Sequence, residues 1–414
     1  MMTILIVAAI FLLLDWYAFQ ATRLLISDLS SYSRLSIYAV YWSISLVALF
    51  GFLFYNAGGK NMLSEGQRTF LFGWIFVNYA SKFFGSLVLV IDDIVRLGQW
   101  AYAQFTTNDL PDTGNASENI SRSEFLATAS VVATVVPALG LSYGIASVAH
   151  DYRIHRVKVP ISGLPSAFQG LRVAQLSDIH SGSFFNRKAV SHGVEMVLAE
   201  KPDLVFFTGD LVNNKATEVE DYLPIFGKLA APLGVFSILG NHDYGDYTSW
   251  PSREVKQANL ANLKEAHGLM GWKLLLDENQ ILTIDNHRLA ILGVENWGTG
   301  GFAQYGNLEK AYQGTDDADT RILLSHDPSH WDAQVRPDHP DIELTLSGHT
   351  HGGQVGIEWG SLRWSFVKYR YKQWAGLYQN DNQHLYVNRG FGYIGYPGRL
   401  GIRPEITILE LTSA

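Results

Sequence analysis

The chain has 414 residues, a formal net charge of −8, no cysteine, and 47% hydrophobic against 17% charged residues. Lack of cysteine excludes disulfides and thiolate metal ligands, and the acidic balance gives no general attraction to nucleic-acid phosphates. The length exceeds one average domain, so more than one unit is expected.

Composition changes sharply near residue 150. Before that point, four apolar stretches at about 2–22, 35–56, 70–91 and 124–149 are each long enough to cross a ~30 Å hydrocarbon core as a helix. Trp16, Tyr17, Trp42, Trp74 and Trp100 lie near their ends, as interfacial aromatic belts do. Lys82 is a charge inside the third stretch and should face a helix neighbour or snorkel. The first residues, Met1-Met2-Thr3, lack the basic start of a cleavable signal peptide, so the segment is expected to stay attached. The expected division is a transmembrane domain of four spans over 1–150, a linker over 151–165 and a catalytic domain over 166–414.

Loop charges bear on orientation. The loop at 57–69 carries Lys60 and Arg68, and the exit from the fourth span carries Arg153, Arg156 and Lys158. The loop at 98–123 is acidic, with Asp109, Asp112 and Glu118, and contains the glycosylation-type tripeptides Asn115-Ala-Ser and Asn119-Ile-Ser. Positive charge marks the cytoplasmic side, which places both termini and the catalytic domain in the cytoplasm; Arg23 and Arg34 count against this. The expectation is a multi-pass integral protein of the inner or plasma membrane, if the source is bacterial.

From about residue 160, short apolar runs alternate with helical patterns at 187–200 and 254–267, which argues for a layered α/β domain. Five of those runs lead into metal-binding residue types: 171–176 before Asp178 and His180, 204–207 before Asp210, 235–239 before Asn241, 322–324 before His326, and 342–346 before His349 and His351. Oxygen and imidazole donors at strand ends suit Mn, Fe or Zn, and clusters distant in sequence converge beyond the carboxyl ends of strands in open α/β sheets. A carboxylate such as Asp210 can bridge two cations, whereas a neutral imidazole cannot.

Other patterns fail on context. Gly140-Leu-Ser-Tyr-Gly144 fits a nucleophile elbow but lies inside an apolar stretch, and Gly390-Phe-Gly-Tyr-Ile-Gly395 is followed by Tyr-Pro-Gly-Arg, which opens no helix. His150, His155, His192, His267, His287, His330, His339 and His384 fall outside the clusters and are expected at the surface.

The series Asp178-x-His180, Gly209-Asp210, Gly240-Asn241-His242-Asp243, His326 and Gly348-His349-x-His351 resembles the calcineurin-like metallophosphoesterase family over roughly 170–410. The resemblance implies a four-layer α/β/β/α sandwich preceded here by an all-α transmembrane region. It implies one metal held by Asp178, His180, Asp210 and His351, and a second held by Asp210, Asn241, His326 and His349. His242 resembles the family's general acid, with Asp243 as its orienting partner. Two divalent or trivalent ions are therefore the expected cofactor.

Just after the last cluster, Arg363, Lys368, Arg370 and Lys372 stand among Trp359, Trp364, Phe366, Tyr369, Tyr371 and Trp374. Aromatics interleaved with cations suit a surface beside anionic lipid headgroups, and a strand pair with alternating faces explains the same composition equally well. Arg370, Arg389 and Arg399 are the candidate substrate-binding residues. The closing segments around Arg389 and Pro404 resemble the membrane-associated subgroup that includes UDP-2,3-diacylglucosamine pyrophosphatases. The expected function is hydrolysis of a lipid-linked or membrane-proximal phosphoester or pyrophosphate, a UDP-2,3-diacylglucosamine-type substrate favoured, with the bilayer as partner and no nucleic acid. A lipid phosphate phosphatase, a soluble nucleotide phosphodiesterase and an inactive membrane signalling or scaffold protein are the alternatives.

Overall fold

The computed structural model describes residues 2–105, 122–360 and 362–414. They form two compact units, Met1–Ile145 and Ala146–Ala414.

The first unit consists of α1 (Met2–Leu25), α2 (Ser31–Asn56), α3 (Glu65–Phe105) and α4 (Arg122–Ala146), each long and apolar enough to cross a membrane. Helix α3 runs well past the apolar stretch that announces it. Beyond residue 91 the helix continues through Asp92, Asp93 and Arg96, and the Arg96–Asp92 pair at 2.7 Å ties successive turns. Gly140 to Gly144 lie inside α4, away from any strand-to-helix turn. Asp109, Asp112, Glu118 and both asparagine tripeptides lie outside the described residues.

Lys82 has the helix neighbour that its position demands. Its Nζ donates to Asp15 Oδ1 of α1 at 2.6 Å and to Ser45 Oγ of α2 at 2.5 Å, and it lies 4.4 Å from the centre of the Tyr41 ring. Tyr79 Oη donates to the other Asp15 oxygen at 3.3 Å. One buried ion pair thus links three of the four helices.

The second unit begins with β1 (Arg153–Ile161), β2 (Arg172–Leu176), β3 (Leu204–Thr208), β4 (Val235–Ile238) and β5 (Lys273–Leu274). It continues with β6 (Glu278–Ile284), β7 (His287–Gly293), β8 (Thr320–Leu324) and β9 (Leu344–Ser347). A hairpin of β10 (Gly356–Trp359) and β11 (Leu362–Ser365) precedes β12 (Gly376–Asn380), β13 (Gln383–Val387) and β14 (Glu405–Ser413). One six-stranded sheet has the order β1-β14-β2-β3-β4-β5, and the other β12-β13-β9-β8-β7-β6.

Strand alternation builds the layers. In β3, Leu204 and Phe206 face the second sheet, where Leu289, Ile291, Ile322, Leu324, Leu344 and Leu346 complete the central core. Val205 and Phe207 face the opposite way and pack with Val190, Val194 and Val197 of α5 (Arg187–Ala199) and Leu263 of α6 (Arg253–Leu269). Outside the second sheet, Leu292, Leu323 and Leu385 pack under Leu308, Trp331 and Val335. Both faces of each sheet are covered, which makes the expected four-layer α/β/β/α sandwich and explains why the strands read as continuous apolar runs.

The segment expected as a linker, 151–165, is instead mostly β1, paired with β14 from Arg153↔Glu405 to Ile161↔Ser413. Val159 and Ile161 bury against the central core while Arg156 and Lys158 stay exposed, a period-two pattern that reads as linker only when its charged members are weighed alone. Three histidines expected at the surface are also buried. His267 donates to or accepts from Ser237 Oγ at 2.9 Å, His330 sits between Ser325 and Gln334, and His384 lies in β13. Burial pushes His267 down to about 3 and His330 to about 4, so both stay neutral core residues.

Breaking one side of the Lys82–Asp15 pair leaves an uncompensated buried charge. Lys82→Met and Asp15→Asn should each destabilise the helical unit by about 3–5 kcal/mol, and the double variant should recover part of that loss. Thermal unfolding of the detergent-solubilised protein, followed by circular dichroism, measures the cycle; additive single losses would mean that the pair is not coupled.

Candidate metal centre

The seven sequence-predicted ligands converge beyond the carboxyl ends of β2, β3, β4, β8 and β9. Asp178, His180 and His351 form one group and Asp210, His326 and His349 another, with the ligand atoms of each group within 4.8 Å of one another. Asp210 Oδ2 joins the two, lying 3.5 Å from His180 Nε2 and 3.2 Å from His326 Nε2. His180 Nε2 and His351 Nε2 are 3.0 Å apart, and Asp178 Oδ1 is 3.3 Å from His351 Nε2. On the other side, Asn241 Oδ1 lies 2.9 Å from His349 Nδ1 and 3.2 Å from His326 Nε2.

These spacings fit cations. Donors about 2.0–2.2 Å from one ion stand roughly 3.0–3.5 Å from each other, which is the range of these separations. The structure thus brings together the donors expected for two metals, with Asp210 Oδ2 within 3.5 Å of an imidazole of each group and Asn241 Oδ1 beside His326 and His349.

Strained backbone aims the ligands. Among the described residues, eleven non-glycine residues have positive φ, and Asp178, His180, Asp210, His349 and His351 are five of them. That conformation is uncommon for side-chain-bearing residues and persists only where surrounding structure enforces it. Glycines provide the room: a Cβ on Gly348 would lie 2.2 Å from Asp178 Oδ2, and one on Gly209 would lie 2.8 Å from His326 Nδ1.

A second set of contacts fixes the orientation of His326, Asn241, His349 and Asp210. The Thr208 carbonyl accepts from His326 Nδ1 at 2.7 Å, which turns Nε2 toward Asp210. Asn241 Nδ2 donates to Tyr247 Oη at 2.9 Å, so Oδ1 is the atom presented to the centre. His349 Nε2 meets Tyr371 Oη at 2.7 Å and Asp327 Oδ2 at 3.5 Å, leaving Nδ1 for the second donor set. Asp210 Oδ1 accepts the His242 backbone N–H at 2.9 Å, leaving Oδ2 for the shared position.

Asp243 differs from its expected role as partner of the His242 ring. Its carboxylate accepts backbone N–H groups of Asp210, Leu211, Val212 and Gly240 at 2.8–3.2 Å and so holds the turn that carries the bridging ligand. His242 is oriented by the Asn213 carbonyl instead, 2.9 Å from Nδ1. A carbonyl only accepts, so Nδ1 carries a proton and Nε2 is the ring atom left for chemistry. The His242 ring stands 4.9 Å from the His180 ring, beside the first donor set. Tyr247 and Asn213 escaped the sequence reading because no motif spacing marks them, and Tyr371 was read there as one of the segment's aromatics with no sign that it would meet His349.

The electrostatics suit cation binding. Burial pushes His180 down to about 3 and His349 to about 4, and holds His351 well below the ordinary value, so these imidazoles are neutral and ready to ligate. Burial alone would raise Asp210, but the surrounding imidazoles, His326 foremost, hold it well below the usual carboxylate range. Burial opposes charge on His326 too, yet Asp210 and Asp178 outweigh it and lift His326 to about 10. A proton there supplies positive charge that a metal cation would replace.

A family model described as "Calcineurin-like phosphoesterase" matches residues 171–353, and one described as "Probable Calcineurin-like phosphoesterase, transmembrane domain" matches 1–148. The chain belongs to the calcineurin-like metallophosphoesterases that carry an N-terminal transmembrane domain. It is 29% identical to "Uncharacterized metallophosphoesterase YkuE" of Bacillus subtilis, over 72% of this chain and 99% of that protein. It is 30% identical to "Transmembrane protein with metallophosphoesterase domain" of Danio rerio, over 72% of this chain and 66% of that longer protein. An "Uncharacterized metallophosphoesterase" of Helicobacter pylori strain J99 is 25% identical over 92% of this chain and 94% of its own.

The three candidate substrate-binding arginines of this metallophosphoesterase part company. Arg389 is buried, bound to Glu405 at 2.6 Å and Glu358 at 2.7 Å. Arg399 is fully buried, and its guanidinium donates to the carbonyls of Gly390 and Gly392. Both serve the floor beneath the ligands: the loop they clamp donates Phe391 N–H to Ser177 and Gly392 N–H to Asp178 at 2.8 Å. Arg370 is exposed and lines a cavity of about 400 Å³ with Thr299, Ser329, Tyr371, Lys372 and Gln373. Tyr371 is shared between that cavity and His349, so Arg370 and Lys372 stand beside the metal centre.

If Asp243 holds the bridging turn, Asp243→Asn should lower metal affinity at both positions by roughly 10–100-fold although Asp243 is no ligand. Metal content after dialysis against graded chelator measures this; unchanged retention with slowed turnover would restore Asp243 to a role on the His242 ring.

Proposed function

We propose that this protein is a membrane-anchored hydrolase of a phosphoester or pyrophosphate, acting on a lipid-linked or membrane-proximal substrate from the cytoplasmic side. The observation that carries the reading is the pair of donor groups meeting at Asp210 Oδ2, with the His242 imidazole at their edge. Mn, Fe and Zn all accept such oxygen and imidazole donors. When bound, two such ions supply positive charge to the phosphoryl oxygens and acidify water.

The chain's own residues do the rest. Asn213 and the His242 backbone contact to Asp210 fix the imidazole against the bridging ligand, where Nε2 can donate a proton to a departing oxygen. Arg370 and Lys372 line the adjoining cavity and offer cations to a second anionic group of the substrate. Tyr371 and Asp327 hold His349 in place. A catalytically inactive scaffold would need the donor sets without an oriented His242.

Four membrane spans support a substrate at the bilayer, where anchoring raises the local concentration of the catalytic unit. A UDP-diacylglucosamine-type pyrophosphate and a lipid phosphate both meet that description, and Arg370 and Lys372 in the cavity beside the centre offer cations to either.

With added manganese, the detergent-solubilised protein should hydrolyse a nitrophenyl phosphodiester; no turnover of any phosphoester by the metal-loaded chain would sink the proposal in favour of the scaffold. His242→Asn should lower turnover about 10²–10⁴-fold with metal content intact. The loss should be smaller for nitrophenyl than for alkyl leaving groups, because a good leaving group needs no proton. Equal losses would show that His242 positions phosphate only.

A further inference from the structure

The hairpin of β10 and β11 forms a two-stranded sheet of its own, with Ile357↔Trp364, Glu358↔Arg363 and Trp359↔Leu362 as partners. Alternation therefore puts Ile357, Trp359, Leu362 and Trp364 on one face, and Glu358, Arg363 and Ser365 on the other. The polar face is turned to the protein. Glu358 accepts from Arg389 at 2.7 Å, Arg363 Nη1 donates to the Ala375 carbonyl at 3.2 Å, and Ser365 Oγ donates to the Val355 carbonyl at 3.0 Å. The apolar face is turned outward: Trp359 is 84% exposed, Leu362 57% and Ile357 50%. The turn that follows adds Phe366 at 62% and Tyr369 at 73%, with the Phe366 ring edge-on to Trp364 at 4.6 Å.

This is the reverse of an ordinary one-sided hairpin, which buries its apolar face and solvates its polar one. A contiguous exposed apolar patch of this kind marks a surface with a partner. Two features identify that partner. Lys368, Arg370 and Lys372 are exposed around the rings, a local concentration of cations in a chain of net charge −8, and they complement anionic headgroups. Only residues 147–152 separate α4 from β1, so the unit is tethered to the bilayer that its own four helices occupy.

We propose that the β10–β11 hairpin and the Phe366–Tyr369 turn form a wedge that inserts into the headgroup region of an anionic bilayer. Trp359, Leu362, Phe366 and Tyr369 enter the interface, where aromatic rings with a polar edge are at home, and the cations bind lipid phosphates. Arg370 and Lys372 also line the cavity beside His349, so insertion brings that cavity to the level of the headgroups. The wedge is independent of the proposed hydrolysis, and its test uses no substrate.

The chain has no cysteine, so single-cysteine labelling needs no background removal. Trp359→Cys and Tyr369→Cys, each in the full-length protein, would carry an environment-sensitive fluorophore. Asn286→Cys is the control: it lies in the exposed β6–β7 turn, at the end of its sheet opposite the metal ligands. Each is reconstituted at one copy per nanodisc, in phosphatidylcholine with or without phosphatidylglycerol, with a nitroxide lipid near the headgroup. The expected result is blue-shifted, nitroxide-quenched emission at positions 359 and 369, stronger with phosphatidylglycerol, and water-like emission at 286. Lys368→Glu combined with Lys372→Glu should remove the dependence on phosphatidylglycerol. Water-like, unquenched emission at both wedge positions in both lipids would overturn the proposal. So would protection that appears only with two copies in a disc, which would assign the face to a second chain.

Discussion

The second unit depends on one atom, Asp210 Oδ2, which lies within 3.5 Å of His180 in one donor group and of His326 in the other. Concentrating buried Asp178, Asp210, Asp243 and Asp327 around a single point is unfavourable unless positive charge lies among them. Asp210 and Asp178 lift the His326 imidazole to about 10 against its burial, while burial pushes its neighbours His180 and His349 down. Metal binding and the integrity of this corner of the fold are therefore linked.

Much of the surrounding structure serves to keep that geometry. Two sheets stacked face to face bring five strand ends from distant parts of the sequence to one edge, and five ligands adopt left-handed backbone to turn inward there. Asp243 gathers four backbone N–H groups under the bridging ligand. Arg399 and Arg389, each without access to a substrate, clamp the loop on which Asp178 and His351 rest. The last strand, β14, then closes the sheet between β1 and β2, so the chain's final residues support its first ligand.

That these seven donors would gather at strand ends was legible in the sequence because each sits two to five residues past an apolar run. Lys82 was legible as a residue in need of a neighbour, since a charge in an apolar helix has few other solutions. The identity of that neighbour, Asp15, was not, because helix pairing is not written in either helix alone. Asp243 was misread for the same reason: it is adjacent to His242 in sequence, but the 3-10 turn at Asn241–Tyr244 points its carboxylate at the backbone of the preceding ligand. Arg389 and Arg399 looked like phosphate clamps because composition shows a cation and not its partners, Glu405 and the Gly390 and Gly392 carbonyls. The segment 151–165 read as a connector since β1 is paired by β14, some 250 residues away, and no local signal announces so distant a partner.

A helical unit that spans the membrane and a sandwich that gathers metal ligands make sense together if the chemistry is kept near the bilayer, and the whole account rests on the centre being dinuclear. The most direct measurement is electron paramagnetic resonance of the full-length protein loaded with manganese, taken with elemental analysis of the same sample. Ions that share a bridging carboxylate have interacting spins, so the account predicts two manganese ions per chain and a spectrum dominated by spin coupling. One ion per chain, or two giving only the signal of isolated manganese, would contradict it.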